Sequence, residues 1–276
     1  MTQTNGYTDA NAVVNGNRDT DTGTNRNAFA EDQSSSPAVR RPPGALPRVI
    51  AHRGFADDYP ENTTAAFRRA ARYADAVEID VRRCGSGELV AFHDATLDRV
   101  TDASGRVDET PLSTLRNVDV LGTGQGIPTL REAIAAIPSE TDVTVELKEP
   151  VVEDALEALD VDNEVVVSSL DQSILERVRA RGGPPTALVP LPGTGGIKMA
   201  AEAGCSAVHP RRATVFLRPG YVERANRAGL AVNVWPVRDA VDAARLAAIG
   251  VDGIAADSAG LVHRDGASLS RMDGKR

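Results

Sequence analysis

The sequence predicts a (β/α)8 TIM barrel with a small insertion after the second strand and its hairpin. Eight short β-branched segments alternate with alanine- and arginine-rich amphipathic segments, the pattern of parallel strands joined by helices. Glycines stand where helices should stop, as at Gly229 and Gly250. A doubly wound open sheet is the alternative. It is disfavoured because eight strands are predicted and because no G-x-G-x-x-G motif follows a strand.

The alternation sets the order of the elements. β-Branched apolar residues mark the strands, and apolar residues every three to four positions mark the helices. The predicted strands are Val49–His52, Val77–Val81, Val143–Lys148, Val165–Ser169, Thr186–Pro190, Ala207–His209, Ala231–Trp235 and Gly253–Ala256. The predicted helices include Thr63–Tyr73, Leu130–Ala136, Ser173–Ala180, Ile197–Ala203, Gly220–Ala228 and Asp239–Ala248.

One stretch breaks the alternation. Gly85-Ser86-Gly87 predicts a hairpin turn, which would bring His93 back beside the second strand. Residues 94–129 are too long for an ordinary connection and form a predicted insertion on the active face. The barrel domain is expected at 46–262. Polar segments on either side predict a disordered N-terminal tail at 1–45 and a flexible C-terminal tail at 263–276.

Composition narrows the class of partner. The net charge of −8, from 39 acidic and 31 basic residues, disfavours a nucleic acid. No apolar run approaches the ~20 residues of a membrane span, and no secretory segment is visible, so we expect a cytoplasmic protein without stable membrane insertion. The two cysteines lack metal-site spacing and are expected to be free thiols. The oligomeric state is left open.

Three carboxylates lie within apolar strand segments. Glu78 and Asp80 share one face of the second strand, and Glu146 lies in the segment Val143–Lys148. Polar side chains at the carboxyl ends of barrel strands face the mouth, where oxygen ligands suit Mg²⁺ or Ca²⁺. Salt bridges to arginines are the alternative. Burying three carboxylates in apolar strands is costly, and this favours a metal.

Two of the four histidines are expected at the same mouth. His52 ends the first strand and His93 follows the hairpin, so one could remove a proton and the other deliver one, as phosphodiester cleavage requires. Arg53 follows His52 directly and offers a planar fork for phosphate oxygens. Lys148 shares a strand face with Glu146.

Other polar residues near the mouth admit two interpretations. Asn62 or Thr63 is a good helix N-cap, although Glu61 or Asn62 could also reach a metal or phosphate. Trp235, the only tryptophan, suits core packing or a wall for an organic group of the substrate. A structural role is expected for His209.

Taken together, these motifs resemble the glycerophosphodiester phosphodiesterase family, within the phosphatidylinositol-phospholipase-C-like TIM barrel superfamily. The matching stretches run in family order across about residues 48–260. They are Ala51-His52-Arg53-Gly54, Pro60-Glu61-Asn62-Thr63, Glu78-Ile79-Asp80-Val81, Leu89-Val90, His93-Asp94-Ala95-Thr96-Leu97-Asp98-Arg99, Ile127-Pro128-Thr129-Leu130, Val145-Glu146-Leu147-Lys148, Val234-Trp235-Pro236-Val237 and Val251-Asp252-Gly253-Ile254.

The resemblance implies metal-dependent hydrolysis of a small-molecule glycerophosphodiester to glycerol phosphate and an alcohol. By that resemblance a divalent metal is held by Glu78, Asp80 and Glu146, and the acid–base pair is His52 and His93. Phosphate is bound by Arg53 and Lys148. A lysophospholipase D-type enzyme acting on lipids is the nearest alternative, disfavoured because residues 94–129 contain no long apolar stretch. A non-catalytic binding barrel is the other, disfavoured by the two histidines.

Overall fold

Eight parallel strands close into a ring. The computed structural model describes residues 45–261. Its strands, all parallel except β3, are β1 (Arg48–Ala51), β2 (Ala76–Arg83), β3 (Leu89–Ala91), β4 (Asp142–Leu147), β5 (Val165–Ser169), β6 (Thr186–Leu188), β7 (Ala207–Val208), β8 (Ala231–Val237) and β9 (Gly253–Ala256). Pairing runs β1-β9-β8-β7-β6-β5-β4-β2, and β1 also pairs with β2. The closed ring confirms the predicted TIM barrel and excludes the open sheet.

The described residues form nine α-helices; the second lies in the stretch after β3, and the others cover the outside of the ring. They are α1 (Thr64–Ala70), α2 (Leu112–Leu115), α3 (Leu130–Ala135), α4 (Val152–Ala158), α5 (Gln172–Ala180), α6 (Gly196–Glu202), α7 (Arg212–Leu217), α8 (Tyr221–Arg227) and α9 (Ala240–Ile249). Side chains begin several of them: the Thr63 hydroxyl accepts from the Ala66 N–H, and Thr129 and Glu132 form a capping box. Within residues 45–261, no helix is long and apolar enough to cross a bilayer.

The barrel interior changes character along its axis. Small buried side chains, Ala187, Ala207 and Ala231, pack together in the middle of the ring. Towards the carboxyl ends of the strands polar side chains join the lining, and a small cavity opens there, lined among others by His52, Glu78 and Glu146. The fold therefore places polar side chains from several strands around one mouth.

The stretch after β3 adds a small second core beside this mouth. β3 returns along β2 in an antiparallel pair with Val81 opposite Ala91, as the hairpin predicted. The following segment encloses its own apolar cluster, which includes Leu97, Leu115 and Ile127. The domain limits stay predictions, and the two predicted tails lie outside the described residues, apart from Ala45.

Candidate active site

Three carboxylates meet at the carboxyl ends of neighbouring strands. Glu78 and Asp80 belong to β2, and the strand register sets Asp80 opposite Glu146 on β4. One oxygen from each carboxylate lies within 4.8 Å of the others. Among the described residues, no group donates a hydrogen bond to the buried Oε1 of Glu78. Because buried carboxylate oxygens normally have donors, this atom fits a ligand of a hard divalent cation.

Two cations border the carboxylate cluster. Nζ of Lys148 lies 2.7 Å from Oδ1 of Asp80 and 2.5 Å from Oε1 of Glu146. Nε of Arg53 lies 3.0 Å from the other Asp80 oxygen. Both contacts with Asp80 are ion pairs. Burial raises the pKa of Asp80, but Lys148 and Arg53 outweigh it and lower the pKa. By contrast, burial and the charge of Asp80 raise the pKa of Glu78 to about 8.

The turn after β1 brings Arg53 to this cluster. Arg53 and Gly54 have φ angles of 52° and 78°, and a Cβ on Gly54 would lie 2.9 Å from that of Ala66. Only glycine fits this second position. The Arg53 N–H donates to Oε2 of Glu78 at 2.8 Å, and its carbonyl accepts from the Asn62 N–H at 3.1 Å. These bonds hold Arg53 in its left-handed conformation.

Glu61 and Asn62, which the sequence left open, contact different partners. Nδ2 of Asn62 donates to Oδ2 of Asp80 at 3.0 Å, and Oδ1 of Asn62 accepts from the Asp80 N–H at 3.2 Å. Glu61 accepts from Nη1 of Arg53 at 3.1 Å and from both terminal nitrogens of Arg99 at 2.8 Å. Asn62 therefore orients a carboxylate, and Glu61 orients arginines.

His52 is held by a buried aspartate from the last strand end. Nδ1 of His52 lies 2.5 Å from Oδ1 of Asp257, whose other oxygen accepts from Nε of Arg238 at 2.8 Å. Burial lowers the pKa of His52, but the bond to Asp257 and the charge of Glu78 outweigh it, so that the pKa is raised. Because Nδ1 is occupied, Nε2 is the nitrogen available to the cavity that His52 lines.

His93 has the same kind of support, and it interacts electrostatically with Asp80 and Lys148 of the carboxylate cluster. Its Nδ1 lies 2.5 Å from Oδ1 of Asp94, and Oδ2 of Asp94 accepts from Nε of Arg99 at 2.5 Å. Burial lowers the pKa of His93; the charge of Asp80 opposes this and that of Lys148 adds to it, and the net result is a lowered pKa. Each histidine thus belongs to an Arg–Asp–His chain.

Trp235 lines the same cavity as His52. The two ring centres are 6.2 Å apart, and the indole N–H donates to the His209 carbonyl at 2.8 Å. His209, expected to be structural, also lines the cavity, with its Nε2 3.0 Å from Nδ2 of Asn233. Burial lowers the pKa of His209 to about 4, so this ring is neutral and accepts from the Asn233 amide.

Sequence reasoning assigned no site role to Asp94, Arg99 or Asp257. Asp257 follows β9 directly, and this carboxyl-end position is the signal that singled out Asp80 and could have found Asp257 as well. Arg99 lies in the irregular insertion, where no periodicity indicates the direction of a side chain.

Comparison with known proteins decides the family. The model of the glycerophosphoryl diester phosphodiesterase family matches residues 52–261. The chain belongs to this family. A glycerophosphodiester phosphodiesterase of Caldanaerobacter subterraneus subsp. tengcongensis is 32% identical over 229 residues, which cover 76% of this chain and 93% of that protein. This member of the glycerophosphoryl diester phosphodiesterase family is therefore a phosphoric diester hydrolase.

Solved structures of glycerophosphoryl diester phosphodiesterases share the fold. An Oleispira antarctica phosphodiesterase in complex with the product sn-glycerol-3-phosphate superposes with a TM-score of 0.70 at 28% identity, covering 78% of this chain and 95% of that one. A glycerophosphodiester phosphodiesterase from Agrobacterium tumefaciens gives a TM-score of 0.68 at 26% identity, covering 79% and 99%.

Proposed function

We propose that this glycerophosphoryl diester phosphodiesterase hydrolyses small glycerophosphodiesters to glycerol phosphate and an alcohol, with a divalent cation and two catalytic histidines. The observation that carries the proposal is the meeting of three carboxylates, two cations and two aspartate-bound histidines at one mouth. The product bound to the Oleispira antarctica relative supports the same substrate class. From the sequence alone we also infer a cytoplasmic location and no nucleic-acid partner.

Glu78, Asp80 and Glu146 would hold the cation, because they are oxygen ligands of the kind Mg²⁺ and Ca²⁺ prefer. When bound, the ion would withdraw charge from the phosphoryl oxygens and lower the pKa of the attacking hydroxyl. The three carboxylates carry three formal negative charges against two positive ones on Arg53 and Lys148. A divalent ion together with a singly charged diester would bring this group to neutrality.

Arg53 and Lys148 would bind the phosphate. Lys148 supplies a point charge and Arg53 a planar fork, and both remain cationic because neighbouring carboxylates raise their pKa values against the effect of burial. Trp235 would form one wall for the organic part of the substrate.

The histidines would move the protons. His93, whose pKa is lowered, is suited to take the proton of the attacking hydroxyl. If this hydroxyl belongs to water, glycerol phosphate forms directly; if it belongs to the glycerol, a cyclic phosphate forms and water opens it in a second step, with the histidine roles exchanged. His52, whose pKa is raised, is suited to donate its Nε2 proton to the alcohol oxygen as the P–O bond breaks. Asp94 and Asp257 would keep each ring in the tautomer that presents Nε2.

The test is hydrolysis of glycerophosphocholine by the purified chain with Mg²⁺, Ca²⁺ or EDTA. We expect activity with one of the metals, its loss in EDTA, and a fall in kcat of about 10²–10⁴-fold for His52→Ala and His93→Ala with unchanged folding. Undiminished hydrolysis in EDTA, or by either variant, would contradict the proposal.

A lipid substrate is a second candidate, favoured by two exposed leucines. Leu170 and Leu191 follow the carboxyl ends of β5 and β6 and are 45% and 58% exposed. We expect kcat/KM for glycerophosphocholine to exceed that for lysophosphatidylcholine. A higher kcat/KM for lysophosphatidylcholine would favour the lipid instead, provided that Leu191→Asn removes this preference. Leu46→Asn, at the amino end of β1, is the control and should keep it.

A further inference from the structure

We propose that Arg99 is a positioning residue for this reaction: together with Glu61, it ties His93 and Arg53 into one hydrogen-bonded chain. The inference rests on the proposed function, because it concerns the groups that would move a proton and bind the phosphate. It adds two residues, one from the insertion and one from the loop before α1, that belong neither to the carboxylate cluster nor to the cavity lining described above.

This hydrogen-bonded network has five residues, and neighbouring polar atoms in it are 2.5–3.1 Å apart. Nη1 of Arg53 donates to Oε1 of Glu61 at 3.1 Å. Glu61 accepts from Nη1 and Nη2 of Arg99, each at 2.8 Å, as a bidentate pair. Nε of Arg99 donates to Asp94, which contacts Nδ1 of His93. One planar guanidinium therefore fixes two carboxylates at a set angle to each other.

Exposed arginine pairs usually contribute little, because water screens them and side-chain entropy opposes them. The pair of Arg99 with Glu61 differs because its carboxylate is buried. Glu61 is only 9% exposed, whereas Arg99 is 46% exposed in its side chain. A carboxylate that is buried by its neighbours and loses two charged donors depends more strongly on its remaining donor, Arg53.

Loss of Arg99 would disturb both Arg53 and His93, at the two ends of the hydrogen-bonded network. Glu61 would keep Arg53 as its partner and draw it away from Asp80, which would weaken phosphate binding. Asp94 would lose the donor that fixes its carboxylate, which would loosen the orientation of His93. The first change raises KM and the second lowers kcat, whereas a purely structural contact would lower only the thermal stability.

The test measures kcat, KM and Tm for Arg99→Gln with glycerophosphocholine as substrate. We expect KM to rise several-fold and kcat to fall about 10- to 100-fold, since small misplacements of catalytic groups cost this much. Arg99→Lys keeps the charge but cannot form the bidentate pair with Glu61, so we expect it to recover less than half of the lost kcat/KM. If the glutamine variant does not fold, the lysine variant takes its place in the test. The matched control is Arg106→Gln, an insertion arginine of similar exposure (51%) that pairs with Asp108.

A double-mutant cycle tests whether Glu61 and Asp94 are coupled through Arg99 or act independently. The effects of Glu61→Gln and Asp94→Asn on kcat/KM should be non-additive in the natural sequence and additive once Arg99 is glutamine. Kinetics of Arg99→Gln and Arg99→Lys within twofold of the natural protein would overturn the inference, as would coupling that persists without Arg99. If the natural protein hydrolysed no glycerophosphodiester with either metal, the proposed function itself would fail.

Discussion

Glu78→Gln is expected to abolish hydrolysis and yet to stabilise the metal-free protein. Oε2 of Glu78 accepts from the Arg53 N–H, and the carbonyl of a glutamine can keep that bond. Oε1 is buried without a donor, and one oxygen of this carboxylate lies within 4.8 Å of oxygens of Asp80 and Glu146. The raised pKa of Glu78 means that the metal-free fold must either bury its charge beside Asp80 or protonate it. A glutamine avoids both costs and its N–H₂ can donate to a carboxylate, so we expect a gain of about 1–3 kcal/mol in unfolding free energy.

The measurement is thermal unfolding in EDTA and in excess Mg²⁺ or Ca²⁺. In EDTA the Gln variant should melt above the natural protein. With metal at 1,000 times its Kd the order should reverse, because the ion then stabilises only the chain that binds it, by about 4.1 kcal/mol, which exceeds the expected gain of the variant. Glu157→Gln, at a carboxylate with 81% exposure, should change neither activity nor stability. A Gln variant that melts below the natural protein in EDTA would contradict this account of Glu78.

Asp257→Asn is expected to lower kcat by about 10²–10⁴-fold without removing a group that contacts substrate. The carboxylate of Asp257 can only accept, which keeps the proton of neutral His52 on Nδ1. An asparagine can present its N–H₂ group instead, which would reverse the tautomer. The variant also loses the interaction that raises the pKa of His52, so the limb of the pH–rate profile where His52 deprotonates should move to lower pH.

The loss of stability in Asp257→Asn, relative to the natural protein, should depend on pH. The lowered pKa of Asp257 gives stability that is present above about pH 4 and lost as the pH falls through the folded value. The raised pKa of His52 gives stability that is present below about pH 6.5 and lost as the pH rises through its folded value. The difference in Tm from the natural protein should therefore be largest between these limits. A difference that is constant from pH 3 to 9 would contradict the pairing.

Periodicity and strand ends were enough to predict most of the barrel and the three carboxylates. Glu78 and Asp80 could be placed because strand geometry fixes which residues share a face and because barrel strands end at a common mouth. The family assignment is confirmed by the match over residues 52–261. The catalytic roles of His52 and His93 stay predictions.

The supporting contacts could not be predicted, for a physical reason. The partners of His52 and Arg99 are chosen by side-chain directions in turns and in the irregular insertion, where neither a helical nor a strand period applies. Asn62 illustrates the limit: the sequence suggested capping or metal binding, and the left-handed turn instead directs its amide to Asp80.

The bond between His52 and Asp257 joins the end of the first strand to the end of the last. During synthesis on the ribosome, the histidine is made about 200 residues before its partner. A nascent chain therefore has no oriented His52 until β9 docks against β1 and closes the ring. With the proposed role of His52, turnover would report completed folding, because partly made chains would lack an oriented His52 to donate the proton.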